Sequence, residues 1–210
     1  MPKFLFSPSS LNLLKDCPRC FWLQFRKNIR RPSGIFPSLP SGMDHVLKTH
    51  FDRYIGKGLP PELKELKDVV LFDNKELLAV WRSNFKGIRM ETKDFTLRGA
   101  VDNLLVKGKK LIVLDYKTRG FPLKEDTHHH AEDQMHLYNL LLRKNGHMTE
   151  DYSYLLFYHP KEVLENGDVV FNKDLIKIPL DLKRAETIIN DAMKVLKGKQ
   201  PKKRCAWCEN

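Results

Sequence analysis

The chain has no long hydrophobic run: none of its apolar stretches approaches the roughly 20 residues that a membrane-spanning helix requires. Its first residues, Met1-Pro2-Lys3-Phe4-Leu5-Phe6, form too short an apolar stretch for a secretory signal peptide. Internal repeats and low-complexity segments are also absent from the sequence. We therefore expect a globular, cytoplasmic protein with no membrane association.

Acidic residues are in short supply relative to basic ones. Asp and Glu number 26 against 37 Lys and Arg, which gives a formal net charge of +11. This balance favours phosphate-rich partners, nucleic acid first, although a basic surface that serves only solubility has the same composition. With 210 residues of which 41% are hydrophobic, the chain can bury a full core, and we expect a single domain over 1–210.

Cysteines are few, and they come as two pairs of the same spacing. Cys17 and Cys20 lie near the start, and Cys205 and Cys208 lie at the end. A reducing cytosol disfavours disulfides, so this spacing predicts one four-thiolate metal site that joins the two termini. The spacing allows either tetrahedral zinc or an iron-sulfur cluster.

The hydrophobic pattern predicts an α/β fold in which helices flank a mixed β-sheet. A proline-rich basic connection over 26–40 is expected to lack regular structure. The order of predicted elements is helix, several strands, helix, strands, helix. Helices are predicted over 7–25, 43–55, 131–143 and 182–196, and strands over 69–72, 95–106, 111–118, 152–158 and 169–180.

The segment Leu111-Ile112-Val113-Leu114 reads as a strand buried on both faces, yet Asp115 and Lys117 follow it directly. Side chains alternate along a strand, so these two project to the same side. A turn at Gly108-Lys109 folds the preceding strand back beside this one and brings Asp102 to the same place. Two carboxylates can hold Mg²⁺ or Mn²⁺, the Tyr116 carbonyl can add an oxygen, and the lysine can act on an attacking water or a phosphate.

The helix after this strand carries Gln134 and Tyr138, which are four residues apart and share one face. Together they could contact a phosphate or a base. The three histidines His128-His129-His130 come just before them, and we interpret these as a polar loop without a metal.

These motifs together resemble the PD-(D/E)XK nuclease superfamily, in its RecB-like branch, which includes CRISPR-associated exonucleases and helicase–nucleases. Gly99-Ala100-Val101-Asp102 matches the GxxD motif of that branch, and Asp115-Tyr116-Lys117 matches the D-x-K core. Gln134 to Tyr138 matches the QxxxY motif. The segment Cys17-Pro18-Arg19 is similar to the amino-terminal cysteine segment of members that hold an iron-sulfur cluster.

The resemblance implies a restriction-endonuclease-like sheet and a metal-dependent exonuclease acting on single-stranded DNA. Its catalytic residues would be Asp102, Asp115, Lys117, Gln134 and Tyr138. Helicase or CRISPR-associated proteins, in DNA repair or adaptive immunity, are the further partners that it implies.

The resemblance also implies two metal-binding features outside that core. The four cysteines would hold a 4Fe-4S iron-sulfur cluster in a subdomain of residues 1–40 and 197–210, beside a nuclease core of 43–196. Related enzymes commonly have one of these cysteines near the amino terminus and three near the carboxyl terminus, whereas this chain has two and two. Zinc therefore remains an alternative to the iron-sulfur cluster. A histidine ligand is expected on the helix before the sheet, where His45 after Gly42 is the nearest match and His50 its rival.

Two other functions are compatible with the same residues. One is a cluster- or zinc-bearing DNA-binding module that works only within a larger repair or CRISPR assembly. The other is a zinc-clamped endonuclease that acts on duplex DNA. The intact set of Asp102, Asp115 and Lys117 argues against a vestigial site.

Overall fold

A computed structural model describes residues 3–34 and 37–209, and it confirms the predicted mixed α/β architecture. Two mixed β-sheets are flanked by six helices within these ranges. The helices are α1 (Pro8–Asp16), α2 (Pro18–Lys27), α3 (Ser38–Asp52), α4 (Lys75–Arg82), α5 (His129–Lys144) and α6 (Leu182–Lys197). The strands are β1 (Phe4–Phe6), β2 (Val70–Leu71), β3 (Ile88–Glu91), β4 (Phe95–Gly99), β5 (Asn103–Lys107), β6 (Lys110–Thr118), β7 (Tyr152–Val163) and β8 (Val169–Pro179).

The larger sheet carries the strand that was predicted to be functional. Its order is β2-β5-β6-β7-β8, with β6 in the centre, antiparallel to β5 and parallel to β7. The β5–β6 hairpin turns at Gly108, whose φ of 57° is a left-handed conformation that glycine adopts without strain. The smaller sheet has the order β1-β4-β3, and it brings the amino terminus beside β4.

Burial explains why β6 is the central strand. Its residues 111–116 are all buried, as the unbroken apolar run predicts for a strand covered on both faces. On one face, α5 and α6 close the main core around Val113, Leu141 and Ile189. On the other face, α3 packs Phe51 against Tyr116, with the ring centroids 4.7 Å apart.

Four predictions about the elements are wrong, and each has a local cause. The predicted helix over 7–25 is two helices, because Cys17 adopts an extended conformation before Pro18 and caps α2 with its own sulfur. The predicted strand over 95–106 is also two strands, β4 and β5, which belong to different sheets. Helix α3 begins at Ser38, inside the 26–40 connection that was predicted to lack regular structure. His129 and His130 belong to α5 rather than to a loop.

The polypeptide contains no helix with the length and apolarity needed to span a bilayer, among residues 3–34 and 37–209.

Candidate active site

Asp102, Asp115 and Lys117 converge at the carboxyl end of β6. Asp115 and Lys117 project to the same side of the strand, and the Lys117 ammonium forms an ion pair with Oδ2 of Asp115. Asp102 lies in the short link between β4 and β5, and its Oδ2 accepts a hydrogen bond from the backbone N–H of Tyr116 at 3.1 Å. The hairpin therefore brings together the two acids and the lysine that the sequence singles out.

Asp115 is the most deeply buried of the three, with only 2% of its side chain exposed. Burial raises its pKa to about 7; Lys117 opposes this rise and the nearby Asp102 adds to it. The Oδ2 atom contacts Lys117 but accepts no hydrogen bond of good geometry from any described residue. Lys117 therefore supplies only part of the positive charge that this buried carboxylate needs in order to ionise, and a bound divalent ion would supply the rest.

Gln134 and Tyr138 complete the site from α5. The Gln134 side chain accepts a hydrogen bond from Lys117 Nζ at 3.1 Å and donates to Asp115 Oδ1 at 3.3 Å. It also donates to the Tyr138 hydroxyl at 2.7 Å, and burial raises the pKa of that tyrosine, so its hydroxyl stays protonated. Gln134 thus fixes the lysine and the aspartate relative to each other.

Gly99 lets α5 approach the sheet closely. A Cβ atom at this position would lie 2.7 Å from Leu141 Cδ1 and 2.8 Å from the Tyr138 ring. Any side chain here would force the Tyr138 ring or the Leu141 side chain on that helix to shift. A glycine three residues before Asp102 could permit close approach of a substrate backbone or tight packing against neighbouring elements, and these contacts support tight packing.

Helix α3 presents Lys48 to the site, and sequence reasoning missed this residue. The Lys48 ammonium lies 3.0 Å from Asp102 Oδ1 and 2.7 Å from Asp44 Oδ2. Burial would lower the pKa of Lys48, but the attraction of Asp102 and the hydrogen bonds to both carboxylates outweigh it and raise the pKa. The spacing of Asp44 and Lys48 at i,i+4 was the available signal.

His45, the sequence-predicted metal ligand on α3, is exposed. It lines a separate cavity with His50, Thr49 and Glu62, and His50 itself lies 3.2 Å from Glu62. None of the contacts in the structure joins either histidine to Asp102 or Asp115 among the described residues. The role of His45 therefore stays a prediction that the geometry does not support.

Arg82 of α4 is a second residue that sequence reasoning missed. Its guanidinium donates to the Asp102 carbonyl at 2.7 Å and to both oxygens of Asp52 at 2.9 Å. It therefore ties the link that carries Asp102 to the end of α3. Helix α4 is short and was not predicted, so the sequence offered no context for this arginine.

A polar cavity of about 290 Å³ opens beside this network. Gln134 and Tyr138 line one side of it, and Ser9, Asn12 and Arg98 line another. A larger cavity of about 540 Å³ lies between α1 and α6, and none of the predicted catalytic residues lines it. The smaller cavity therefore adjoins the two α5 residues of the network.

The four cysteines form a compact cluster that joins the two ends of the chain. The sulfur atoms are 3.9 Å apart for Cys17 and Cys208, 3.5 Å for Cys20 and Cys205, and 3.8 Å for Cys205 and Cys208. A backbone hydrogen bond from Trp207 lowers the pKa of Cys205 to about 6, whereas burial raises that of Cys20 to about 12. Arg31 lies beside the cluster, 3.7 Å from the Cys205 sulfur.

The histidines at the start of α5 contact a carboxylate of that helix rather than the active site. His128 lies 3.5 Å and His129 3.0 Å from Glu132, on the partly exposed first turn of the helix. These two histidines and Glu132 could ligate a metal ion together, but their hydrogen bonds and ion pairs among the described residues stay within this group and do not reach Asp115.

Comparison with known proteins agrees with this geometry. A search of curated proteins gives no match. The model of the PD-(D/E)XK nuclease superfamily matches residues 44–210, a span that includes Asp102, Asp115, Lys117, Gln134 and Tyr138. Since this span is most of the polypeptide, the chain belongs to the PD-(D/E)XK nuclease superfamily.

Proposed function

We propose that this protein is a metal-dependent deoxyribonuclease that hydrolyses phosphodiester bonds. The observation that carries the proposal is the convergence of Asp102, Asp115 and Lys117, in which the charge of the buried Asp115 is only partly compensated by Lys117. Enzymes of the superfamily use divalent metals, and these hard oxygen donors fit Mg²⁺ or Mn²⁺. Asp102 and Asp115 would hold the ion, and the carbonyl of Tyr116 is a further candidate donor.

A divalent ion in this place would polarise the scissile phosphate and favour attack by water. The chain's own groups have distinct tasks in the proposal. Lys117 Nζ would stabilise charge that develops on the phosphate or help to deprotonate the water. Gln134 would hold that ammonium beside Asp115, and Tyr138 would hold Gln134.

Single-stranded DNA is the substrate that we propose. The net charge of +11 favours a polyanion, and the cavity beside Gln134 offers Arg98, Asn12 and Ser9 for contacts with a strand. The QxxxY motif supports placement in the RecB-like branch, whose members include CRISPR-associated exonucleases. A cytoplasmic location and helicase or CRISPR-associated partners belong to the same proposal and rest on that resemblance.

The test is cleavage of labelled single-stranded DNA, duplex DNA and RNA with Mn²⁺, before and after addition of a chelator. We expect loss of the single strand, and we expect Asp115→Asn and Lys117→Met each to lower the rate by about 10³-fold. Lys109→Met is the matched control, because this exposed lysine lies at the opposite end of the same hairpin. Faster cleavage of duplex DNA would favour an endonuclease, and binding without cleavage would favour a DNA-binding module.

We further propose that the cysteine cluster holds zinc rather than the 4Fe-4S cluster that the resemblance implies. Zinc–sulfur bonds of about 2.3 Å place tetrahedral ligand sulfurs about 3.8 Å apart. The sulfur separations of 3.5, 3.8 and 3.9 Å match that value. In an iron-sulfur cube each thiolate binds its own iron, which spreads the sulfurs to roughly 6 Å.

The zinc proposal assigns the cysteines a structural task. Four protein thiolates close the coordination sphere and leave no position for a substrate. Residues 1–40 and 197–210 would form a subdomain that this site fastens to the nuclease core of 43–196, within one domain of 1–210. Phe6, Leu11 and Phe21 join the main hydrophobic core, which supports a single folding unit.

Metal analysis of protein purified without oxygen distinguishes zinc from a 4Fe-4S cluster at the four cysteines. We expect a colourless protein with one zinc per chain, and Cys208→Ser should release that zinc. A brown protein that absorbs near 400 nm and contains iron and sulfide would overturn the zinc proposal and leave the nuclease proposal intact.

A further inference from the structure

One ammonium of the active site has no task in the proposed hydrolysis. Lys48 of α3 lies between two carboxylates on different elements, 2.7 Å from Asp44 Oδ2 and 3.0 Å from Asp102 Oδ1. Its side chain is only 22% exposed, and that of Asp102 only 17%. This is the position of a counter-ion rather than that of a solvated surface charge.

The packing of α3 fixes Lys48 in this place. Leu47 and Phe51 are buried against the sheet, with Phe51 on the Tyr116 ring, so the adjacent face of the helix must point along β6 toward Asp102. The link that carries Asp102 is held in turn by the Tyr116 N–H and by Arg82. The helix that carries Lys48 and the link that carries Asp102 are therefore both held in place by these contacts.

The position of Lys48 has an electrostatic consequence for metal binding. One oxygen of the Asp102 carboxylate accepts a hydrogen bond from the Tyr116 N–H, and the other forms an ion pair with Lys48. A divalent ion bound to this carboxylate would therefore lie a few ångströms from an ammonium group. Charges of like sign at such a distance repel each other appreciably even in a medium of high effective dielectric. Lys48 thus competes with the cation for the same carboxylate.

We propose that Lys48 is a built-in counter-ion that weakens divalent-metal binding until a nucleic acid strand is present. The phosphates of the strand attract the ammonium away from Asp102 and free that carboxylate for the ion. Metal and DNA then bind cooperatively, each raising the affinity for the other. The inference rests on the proposed function, because it assumes that Asp102 and Asp115 hold the metal.

The test measures Mn²⁺ binding by calorimetry, without DNA and then with a single strand whose phosphorothioate linkages resist cleavage. Without DNA, we expect Lys48→Met and Lys48→Gln to bind Mn²⁺ at least about tenfold more tightly than the wild type, because repulsion is lost. Lys48→Arg keeps the charge and should resemble the wild type. Lys57→Met, an exposed lysine just after α3, is the matched control and should also resemble it.

Adding the strand should raise the Mn²⁺ affinity of the wild type several-fold more than that of Lys48→Met. Thermal denaturation checks that each variant folds. Two uncharged variants, Lys48→Met and Lys48→Gln, are used so that the test still stands if one of them fails to fold. If Asp115→Asn and the wild type bind Mn²⁺ equally, or do not bind it at all, with the strand present, the proposed function fails, and this inference fails with it. If Asp115→Asn loses binding but the Lys48 variants bind as the wild type does, only the counter-ion role is overturned.

Discussion

Asp115 shows how burial makes one carboxylate useful. An acid with 2% of its side chain exposed is costly to ionise, and its one ammonium partner, Lys117, offsets only part of that cost. The residue is therefore tolerated rather than stabilising in the metal-free protein. Such a cost is a common property of sites that bind a charged ligand.

This cost predicts how stability depends on pH. The folded-state pKa of Asp115 is about 7, above the ordinary value of 3.8, so the folded state keeps a proton that the unfolded chain releases. Ionisation of Asp115 therefore lowers stability as the pH rises from about 4 through 7, and the full loss is present above 7. With EDTA at pH 8, Asp115→Asn should melt at a higher temperature than the wild type, and this advantage should shrink toward pH 4.

Thermal denaturation across that pH range checks the prediction. Asp126→Asn removes an acid from the exposed turn before α5 and serves as the control for net charge. Equal melting temperatures of the wild type and Asp115→Asn at pH 8 would mean that burial of the carboxylate carries no cost.

Gly99 makes a second prediction. Its missing side chain admits the Tyr138 ring and Leu141, and a Cβ atom would lie under 3 Å from both. Gly99→Ala should lower the free energy of unfolding by about 1–3 kcal/mol, because overpacking forces α5 away from the sheet. It should also slow DNA cleavage, because Tyr138 positions Gln134.

Urea denaturation and the cleavage rate measure both effects. Gly120→Ala is the matched control, since a Cβ atom there meets nothing within 4 Å. A Gly99→Ala protein as stable and active as the control would show that the close contact has no role.

Several elements could be predicted from the sequence because their signals are local. The β5–β6 hairpin combines a buried apolar run with a glycine turn, and α5 contains a long, mostly apolar segment, of which residues 135–142 are all buried. The division between β4 and β5 could not be predicted, since residues 95–106 read as one strand-like run. What separates these strands is their pairing with different sheets, a long-range property that the run does not encode.

The residues of the candidate site also divide into those that local motifs predict and those that long-range packing places. Asp102, Asp115, Lys117, Gln134 and Tyr138 belong to motifs with fixed spacing, and the structure brings all five to one place. Lys48 and Arg82 come from α3 and α4, whose placement depends on packing against distant strands. His45 was chosen by a motif match alone, and because the helix turns it toward solvent its role as a ligand stays a prediction.

Helix α4 supports the site through Arg82, and this support can be measured. The guanidinium joins Asp52 at the end of α3 to the Asp102 carbonyl, and only 14% of the side chain is exposed. Arg82→Met should lower the free energy of unfolding by about 1–2 kcal/mol, because the Asp102 carbonyl and the partly exposed Asp52 carboxylate lose a charged donor. It should also weaken Mn²⁺ binding, because Asp102 loses its anchor.

Chemical denaturation and calorimetry give the two readouts. Arg53→Met is the control, an exposed arginine that follows α3 directly. Unchanged stability together with unchanged Mn²⁺ affinity would show that Arg82 does not support the site.

The molecule as a whole combines a positive surface with joined termini. Because the net charge is +11, phosphate contacts by lysine and arginine should dominate the affinity for a strand. Affinity for single-stranded DNA should therefore fall steeply with salt, with a log–log slope of about −0.7 for each phosphate contacted. Fluorescence anisotropy with Asp115→Asn in EDTA measures binding without cleavage, and a flat salt response would exclude a polyanionic substrate.

The joining of the termini was predictable from the cysteine spacing, whereas the identity of the metal was not. Two Cys-x-x-Cys pairs serve zinc and iron-sulfur clusters alike, and the zinc proposal rests on the sulfur separations, which the spacing does not encode. Such a link between residues 20 and 205 closes almost the whole chain into one loop, which restricts the unfolded state strongly.

The most direct measurement is the hydrolysis of a labelled single-stranded oligodeoxynucleotide by the purified protein with Mn²⁺, with Asp115→Asn assayed beside it. We predict rapid, chelator-sensitive shortening of the strand by the wild type and almost none by the variant. Cleavage at equal rates by both proteins, or none by the wild type despite bound Mn²⁺, would contradict the assignment of this site to phosphodiester hydrolysis.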